Sequence, residues 1–199
     1  VARAGVFAGP RPADVSSAVM SDGLRRGWLR DARWVASPNC DARPVGMAID
    51  LVVVHAISLP PGEFGGPHVE QLFTNTLDGR AHDYFAGLEG LRVSAHFFIT
   101  RDGALTQFVD VFARAWHAGV SCWEGRSRCN DFSVGVELEG CDERPFEDAQ
   151  YARLEALIES LYELLPALNR ERLVGHSDVA PARKTDPGPY FDWARLRGG

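Results

Sequence analysis

Residues 49–55 read IDLVVVH, an apolar run rich in β-branched residues and closed by a histidine. Successive valines favour an extended backbone. A strand that is apolar on both sides of its pleat is one covered on both faces, as in sheets layered with helices. The run therefore predicts an α/β fold, with His55 at the C-terminal end of a buried strand, where such sheets place their ligands. A lone histidine there reads equally as a hydrogen-bonded core residue, so His55 needs partners from elsewhere in the chain.

Outward from this strand the elements follow in order. SLPPGEFGGP, residues 58–67, is a loop by composition, and Pro67 is placed as the first residue of a helix running to about Thr76, with Val69, Leu72 and Phe73 as its apolar face. VSAHFFIT (93–100) and ALTQFV (104–109) are read as two strands joined by RDG, a hairpin signal. His96, inside the first, is read as structural. Trp116 and His117 precede the polar loop EGRSRCND and are candidates to line a cleft, although a packed tryptophan is the plainer reading. FSVGVELE (132–139) alternates, with Val134, Val136 and Leu138 on one face and Gly135, Glu137 and Glu139 on the other. One of those two carboxylates is expected to point into a cleft. Glu147 to Leu165 has apolar residues at helical spacing, acids at its start and Pro166 behind it, and predicts a core-packing helix. Before the central strand, residues 28–35 alternate briefly and SPNCDARP is read as loop.

The second informative stretch is GHSDVAPARKTDPGP, residues 175–189. Its prolines at 181, 187 and 189 predict a non-helical segment, and an ordered loop carrying His176, Asp178, Lys184 and Asp186 is a candidate site. His176 and Asp186 are close enough in the chain to meet at one metal ion, and His55 offers a third ligand. Two histidines and one carboxylate suit catalytic zinc with a fourth position open. A strand carboxylate would then move the proton of an attacking water, and Lys184 would stabilise the oxyanion of a hydrolytic reaction. Asp178 competes with Asp186 for the metal. The expectation is that Asp186 binds it and Asp178 orients the His176 ring.

Composition narrows the classes. A chain of 199 residues with 45% hydrophobic and 24% charged residues is that of one globular domain. The net charge of −6 argues against a nucleic-acid partner and a polybasic membrane surface, and no run approaches the ~18 apolar residues of a membrane span. The four cysteines contain no CxxC pair. With no secretory signal recognisable, they are read as reduced thiols of a cytoplasmic protein. Residues 1–22 are expected to form a disordered N-terminal extension, with Met20 a natural start, and residues 23–199 the folded domain.

Five blocks carry a family resemblance: LVVVHAISLPPGEFGG (51–66), LRVSAHFFI (91–99), RAWHAG (114–119), RCNDFSVGVELEG (128–140) and GHSDVAPARKTDPGPYFDW (175–193). Together they resemble the 1,6-anhydro-N-acetylmuramoyl-L-alanine amidases of the AmpD kind, part of a larger group of zinc amidases that includes a phage lysozyme and the peptidoglycan-recognition proteins. The resemblance runs from about Gly23 to Leu196. It implies a single α/β (α+β-like) domain with a central mixed β-sheet flanked by helices and a zinc groove on one side. It also implies zinc on His55, His176 and Asp186, catalysis by Glu137 and Lys184, and contacts from Arg92 and Arg128 to the carboxylates of a stem peptide. The partner would be an anhydromuropeptide, cleaved between anhydro-N-acetylmuramic acid and L-alanine in cell-wall recycling, and the chain is expected to act as a monomer. One position departs: the family usually has asparagine after its first histidine, and Ala56 cannot make that side chain's hydrogen bonds. An amidase acting on intact peptidoglycan and a non-catalytic peptidoglycan-binding module are the other readings. The second would be expected to lose a zinc ligand, and none is lost.

Overall fold

The computed structural model describes residues 27–197; the expected extension over residues 1–22 and the start at Met20 lie outside the described residues. The strands are β1 (Arg33–Trp34), β2 (Cys40–Ala42), β3 (Leu51–Ile57), β4 (Phe97–Ile99), β5 (Leu105–Gln107), β6 (Ala113–Ala115), β7 (Cys122–Trp123), β8 (Arg126–Ser127), β9 (Ser133–Glu139) and β10 (Leu173–Gly175). The α-helices are α1 (His68–Phe73), α2 (Asp83–Ala86), α3 (Asp148–Leu164), α4 (His176–Val179) and α5 (Trp193–Arg197).

Six strands form the central sheet in the order β1-β5-β4-β9-β3-β10. The β4–β5 pair is antiparallel and the other neighbours run parallel, so the sheet is mixed. The apolar run at 49–55 supplies β3, which lies between β9 and β10 with Leu51 to Val54 fully buried, as a strand covered on both faces must be. The β4–β5 hairpin turns through Arg101–Gly103. Gly103 takes φ +82°, and a Cβ there would stand 2.8 Å from the carbonyl oxygen of Ala149, so both the turn and the helix packed behind it require glycine.

The alternation in β9 sorts its two faces. Val134, Val136 and Leu138 join Val52 and Val54 in the main core beneath α3, against Tyr151, Leu154, Leu157, Ile158 and Leu161. Burial of each such aliphatic side chain stabilises by about 1.5–3 kcal/mol, which makes α3 the principal clamp on that face. Its start is fixed by Glu147, whose backbone N–H donates to Gln150 Oε1 at 3.0 Å. The opposite face of β9 presents Ser133, Gly135, Glu137 and Glu139, and among the described residues the one long helix, α3, lies on the other face.

Four local expectations change. The strand expected over 93–100 reduces to Phe97–Ile99, because Ser94 and His96 donate instead to the carbonyls of Trp116 and Gly135. The helix from Pro67 stops at Phe73, where Asn75 follows with a left-handed φ of 62°. SPNCDARP is not all loop: Cys40–Ala42 pairs with β6 across the chain. The segment 175–189 opens with one helical turn, α4, which finishes before Pro181 and so loses no backbone donor to it. The four cysteines are unbridged. Among the described residues no helix is long and apolar enough to cross a membrane.

Candidate active site

Strand register assembles the first half of the site. His55 is the register partner of Glu137 across the parallel β3–β9 pair, and both emerge from the face turned away from α3. His55 Nδ1 is 4.0 Å from Glu137 Oε1. The second half comes from the end of β10. Gly175 is paired with Val54, so the next residue, His176, arrives beside His55 with the two Nδ1 atoms 2.9 Å apart. The loop then returns: the carbonyl of Asp186 accepts from Ser177 N–H at 2.9 Å, and its carboxylate Oδ2 lies 3.0 Å from His176 Nδ1 and 3.1 Å from His55 Nδ1. His55, His176 and Asp186 thus place three ligand atoms within 4.8 Å of one another, an arrangement that can hold a metal ion.

Asp178 does something other than expected. Its Oδ2 accepts the Gly175 N–H at 2.7 Å and so starts α4, satisfying a helix-end donor rather than turning the His176 ring. The ring is held instead by the carbonyl oxygen of Ala118, 3.3 Å from Nε2. Glu139 is also spoken for, accepting from the backbone N–H groups of Gly65 at 2.5 Å and Arg101 at 3.0 Å. Glu137 is the opposite case: it is buried, and its Oε2 has no hydrogen-bond partner. Alternation put the two glutamates on one face, and their partners separate them.

Burial dominates the electrostatics. It raises the Glu137 carboxyl well above the ordinary range, the neighbouring Asp186 adds to this, and Lys184 opposes it. Burial lowers His55 to about 4, against the pull of the Asp186 carboxylate beside it. For Asp186, burial acts to raise the carboxyl, but the His176 and His55 rings beside it outweigh this and hold it below its usual range.

These groups sit in a cleft of about 560 Å³. Its lining includes the apolar side chains of Leu88 and Leu91 with Tyr84, the segment from Arg183 to Asp186 with the exposed Lys184, and Ala56 next to His55. Trp116 and His117 also line it. The Trp116 indole N–H donates to Asp41 Oδ1 at 3.2 Å. His117 spends both ring nitrogens inside the protein, Nδ1 at 2.9 Å from His55 Nε2 and Nε2 at 3.2 Å from Ser133 Oγ. Burial, followed by the surrounding His55, His96 and His176, keeps it well below the ordinary histidine range. His117 thus reaches the cleft lining with both ring nitrogens engaged inside the protein.

Arg92 and Arg128 do not line this cleft. Arg92 borders a smaller neighbouring depression, and Arg128 Nε pairs with Asp131 at 3.2 Å. The His96 ring is likewise internal, accepting from Gly135 N–H at 3.0 Å. Ser133, Asn130 and the Ala118 carbonyl, all close behind the ligand rings, carry no sequence signal that would have marked them.

Known proteins with this pattern are similar over nearly the whole domain. Residues 45–189 match the family model described as N-acetylmuramoyl-L-alanine amidase. A 1,6-anhydro-N-acetylmuramyl-L-alanine amidase AmpD from Citrobacter freundii is 56% identical over 174 residues, covering 87% of this chain and 92% of that protein. The crystal structure of a selenomethionine AmpD derivative superposes with a TM-score of 0.84 at 56% identity, covering 87% of this chain and 96% of that one. A more distant match, at 28% identity and TM-score 0.57, covers 78% of this chain and 60% of the other: the E. coli amidase AmiD in complex with anhydro-N-acetylmuramic acid-L-Ala-D-γ-Glu-L-Lys. Family model, curated relative and fold agree, and the chain belongs to the N-acetylmuramoyl-L-alanine amidase family.

Proposed function

We propose that this chain hydrolyses the amide bond between 1,6-anhydro-N-acetylmuramic acid and the L-alanine of a stem peptide, a reaction of peptidoglycan recycling, with zinc held by His55, His176 and Asp186. The observation that carries the reading is the convergence of those three ligand atoms beside a buried glutamate oxygen with no partner.

The donor set fits the ion. His176 commits its Nε2 hydrogen to a carbonyl, which leaves Nδ1 with a lone pair aimed at the lone pairs of Asp186 Oδ2. Electron-rich atoms crowded in this way ask for a cation. Their separations of 2.9–3.1 Å approach the edge of about 3.3 Å in a tetrahedron with metal–ligand bonds of roughly 2.0–2.1 Å. When bound, zinc supplies Lewis acidity, drawing the pKa of water down towards about 7.

The chain's own residues do the rest. Glu137 takes a proton from the attacking water on its carboxylate and holds it there, which burial favours. A carbon–oxygen bond forms at the lactyl carbonyl while Lys184 presents its ammonium to the developing oxyanion. Glu137 then returns the proton to the alanine nitrogen as the carbon–nitrogen bond breaks, leaving a lactyl carboxylic acid and a free amine. The two part as carboxylate and ammonium once the acid's proton passes to the amine. The apolar wall of Tyr84, Leu88 and Leu91, with Trp116, excludes water and seats the substrate. Arg92 and Arg128, outside the lining, would reach only the distal carboxylates of the peptide.

The test is incubation of zinc-loaded protein with anhydromuropeptide and, separately, with intact sacculi, followed by mass identification of products. Release of anhydro-N-acetylmuramic acid and free stem peptide is expected from the first. No release from the zinc-loaded protein would overturn the reading, and release from sacculi alone would favour action on the intact wall.

A further inference from the structure

The two candidate ligand rings are held differently from behind. His176 Nε2 faces the Ala118 carbonyl, which can only accept. The nearby Arg183 Nη2, 3.4 Å away, spends its two hydrogens on the carbonyls of Ala118 at 2.7 Å and Val120 at 3.0 Å. The ring's hydrogen is therefore on Nε2 and Nδ1 is bare. His55 Nε2 faces another imidazole nitrogen, His117 Nδ1, at 2.9 Å, and such a pair bonds only if one nitrogen carries hydrogen and the other does not. The choice is made two links away. Ser133 Oγ lies 2.6 Å from the Cys129 carbonyl oxygen, so its hydroxyl hydrogen goes there. What Ser133 offers His117 Nε2, at 3.2 Å, is then a lone pair, and Nε2 must carry the hydrogen. A neutral imidazole has one N–H, so His117 Nδ1 accepts, His55 Nε2 donates, and His55 Nδ1 is left bare towards Asp186 and His176.

We infer that His117 is a positioning residue for the metal centre: its ring, anchored through Ser133 on the Cys129 carbonyl, sets the tautomer and orientation of His55. This rests on the reading of His55 as a metal ligand. Two further observations show that the ring is seated for the purpose. A Cβ at position 135 would come within 2.4 Å of His117 Cγ, so Gly135 is the space the ring occupies on β9. Asn130 Oδ1 accepts from the backbone N–H groups of both His117, at 3.2 Å, and Ala118, at 2.8 Å. One short strap, pinned by one amide, thereby serves both ligand rings, His55 through a side chain and His176 through a carbonyl.

The experiment measures zinc affinity by competition with a chromophoric chelator for the wild-type chain and for His117→Leu, His117→Asn, Ser133→Ala and His55→Ala, together with the melting temperature of each metal-free protein. Loss of an outer partner of a ligating histidine is expected to weaken zinc binding by about 10–100-fold in His117→Leu. His117→Asn, whose side-chain oxygen stands near the position of Nδ1, should restore most of that affinity at a similar metal-free melting temperature. Ser133→Ala should shift affinity in the same direction by less. Nitrogen NMR of the imidazoles in the wild type should show His117 as the Nε2–H tautomer. Wild-type zinc affinity in both His117→Leu and Ser133→Ala, or an Nδ1–H tautomer at His117, would overturn the inference. Should His117→Leu fail to fold, wild-type affinity in Ser133→Ala or the wrong tautomer overturns it alone. Retained affinity in His55→Ala would instead overturn the ligand reading beneath it.

Discussion

His55 and Glu137 stand on adjacent central strands, locked opposite each other by register and buried; His176, Lys184 and Asp186 stand on a proline-bounded segment that leaves Lys184 exposed. The sheet half has little freedom, because moving either residue means slipping a parallel ladder whose other face is packed under α3. The loop half has no strand ladder and is held by scattered bonds: the Asp178 cap, the Ser177–Asp186 backbone contact, and the Arg183 guanidinium on the carbonyls of Ala118 and Val120. Proton transfer needs a carboxylate fixed to a fraction of an ångström with its pKa displaced, and that function falls to the sheet. Charge reaching towards a substrate tolerates a longer lever, and that falls to the loop.

The comparison predicts where substitutions hurt most. Glu137→Gln, with zinc loaded, should lower kcat by ~10²–10⁴-fold while metal content and melting temperature stay near wild type; retained turnover would place the base elsewhere and break the division. On the loop side, Lys184→Met should lower kcat by ~10²–10³-fold, with no loss of stability because the side chain is exposed. An equal fall in melting temperature would show that the loop half is as tightly built as the sheet. Gly135→Ala sharpens the point from within β9: the added methyl overlaps the His117 ring, and overpacking of this kind costs about 1–3 kcal/mol in denaturant unfolding. Asp178→Ala should show the smallest effect, about 1 kcal/mol for one lost hydrogen bond, with zinc affinity close to wild type. A collapse of zinc affinity there would return Asp178 to the metal.

The same division governs what could be read from the sequence. The loop half was legible because its chemistry is written contiguously: His176, Lys184 and Asp186 lie within one stretch whose prolines announce an irregular backbone. Strand β3 was legible from its valines, and α3 from its spacing. The partnership of His55 with Glu137 was not, since register across a parallel pair is set by packing between segments far apart in the chain. Alternation placed Glu137 and Glu139 on one face but could not tell that Gly65 and Arg101 occupy the second. Nor could it place Ser133 and Asn130, ordinary polar residues whose work depends on what tertiary structure brings against them. Strands β2 and β6, of three residues each, carry too little periodicity to register at all, and β1, of two, showed only as the brief alternation over 28–35. Arg92 and Arg128 were named by resemblance, and the fold sets them apart from the main cleft.

His55 and His176 are separated by 121 positions along the chain. An ion shared between them would close a loop comparable to the whole domain. On the chain-entropy account, a covalent cross-link over ~100 residues removes about 4–5 kcal/mol of freedom from the unfolded ensemble, an upper bound for a reversible metal bridge. The strand that delivers His176 is β10, three residues at the edge of the sheet. Such an ion would therefore be a tether as well as a reagent, tying that edge strand and the loop after it to the interior strand β3.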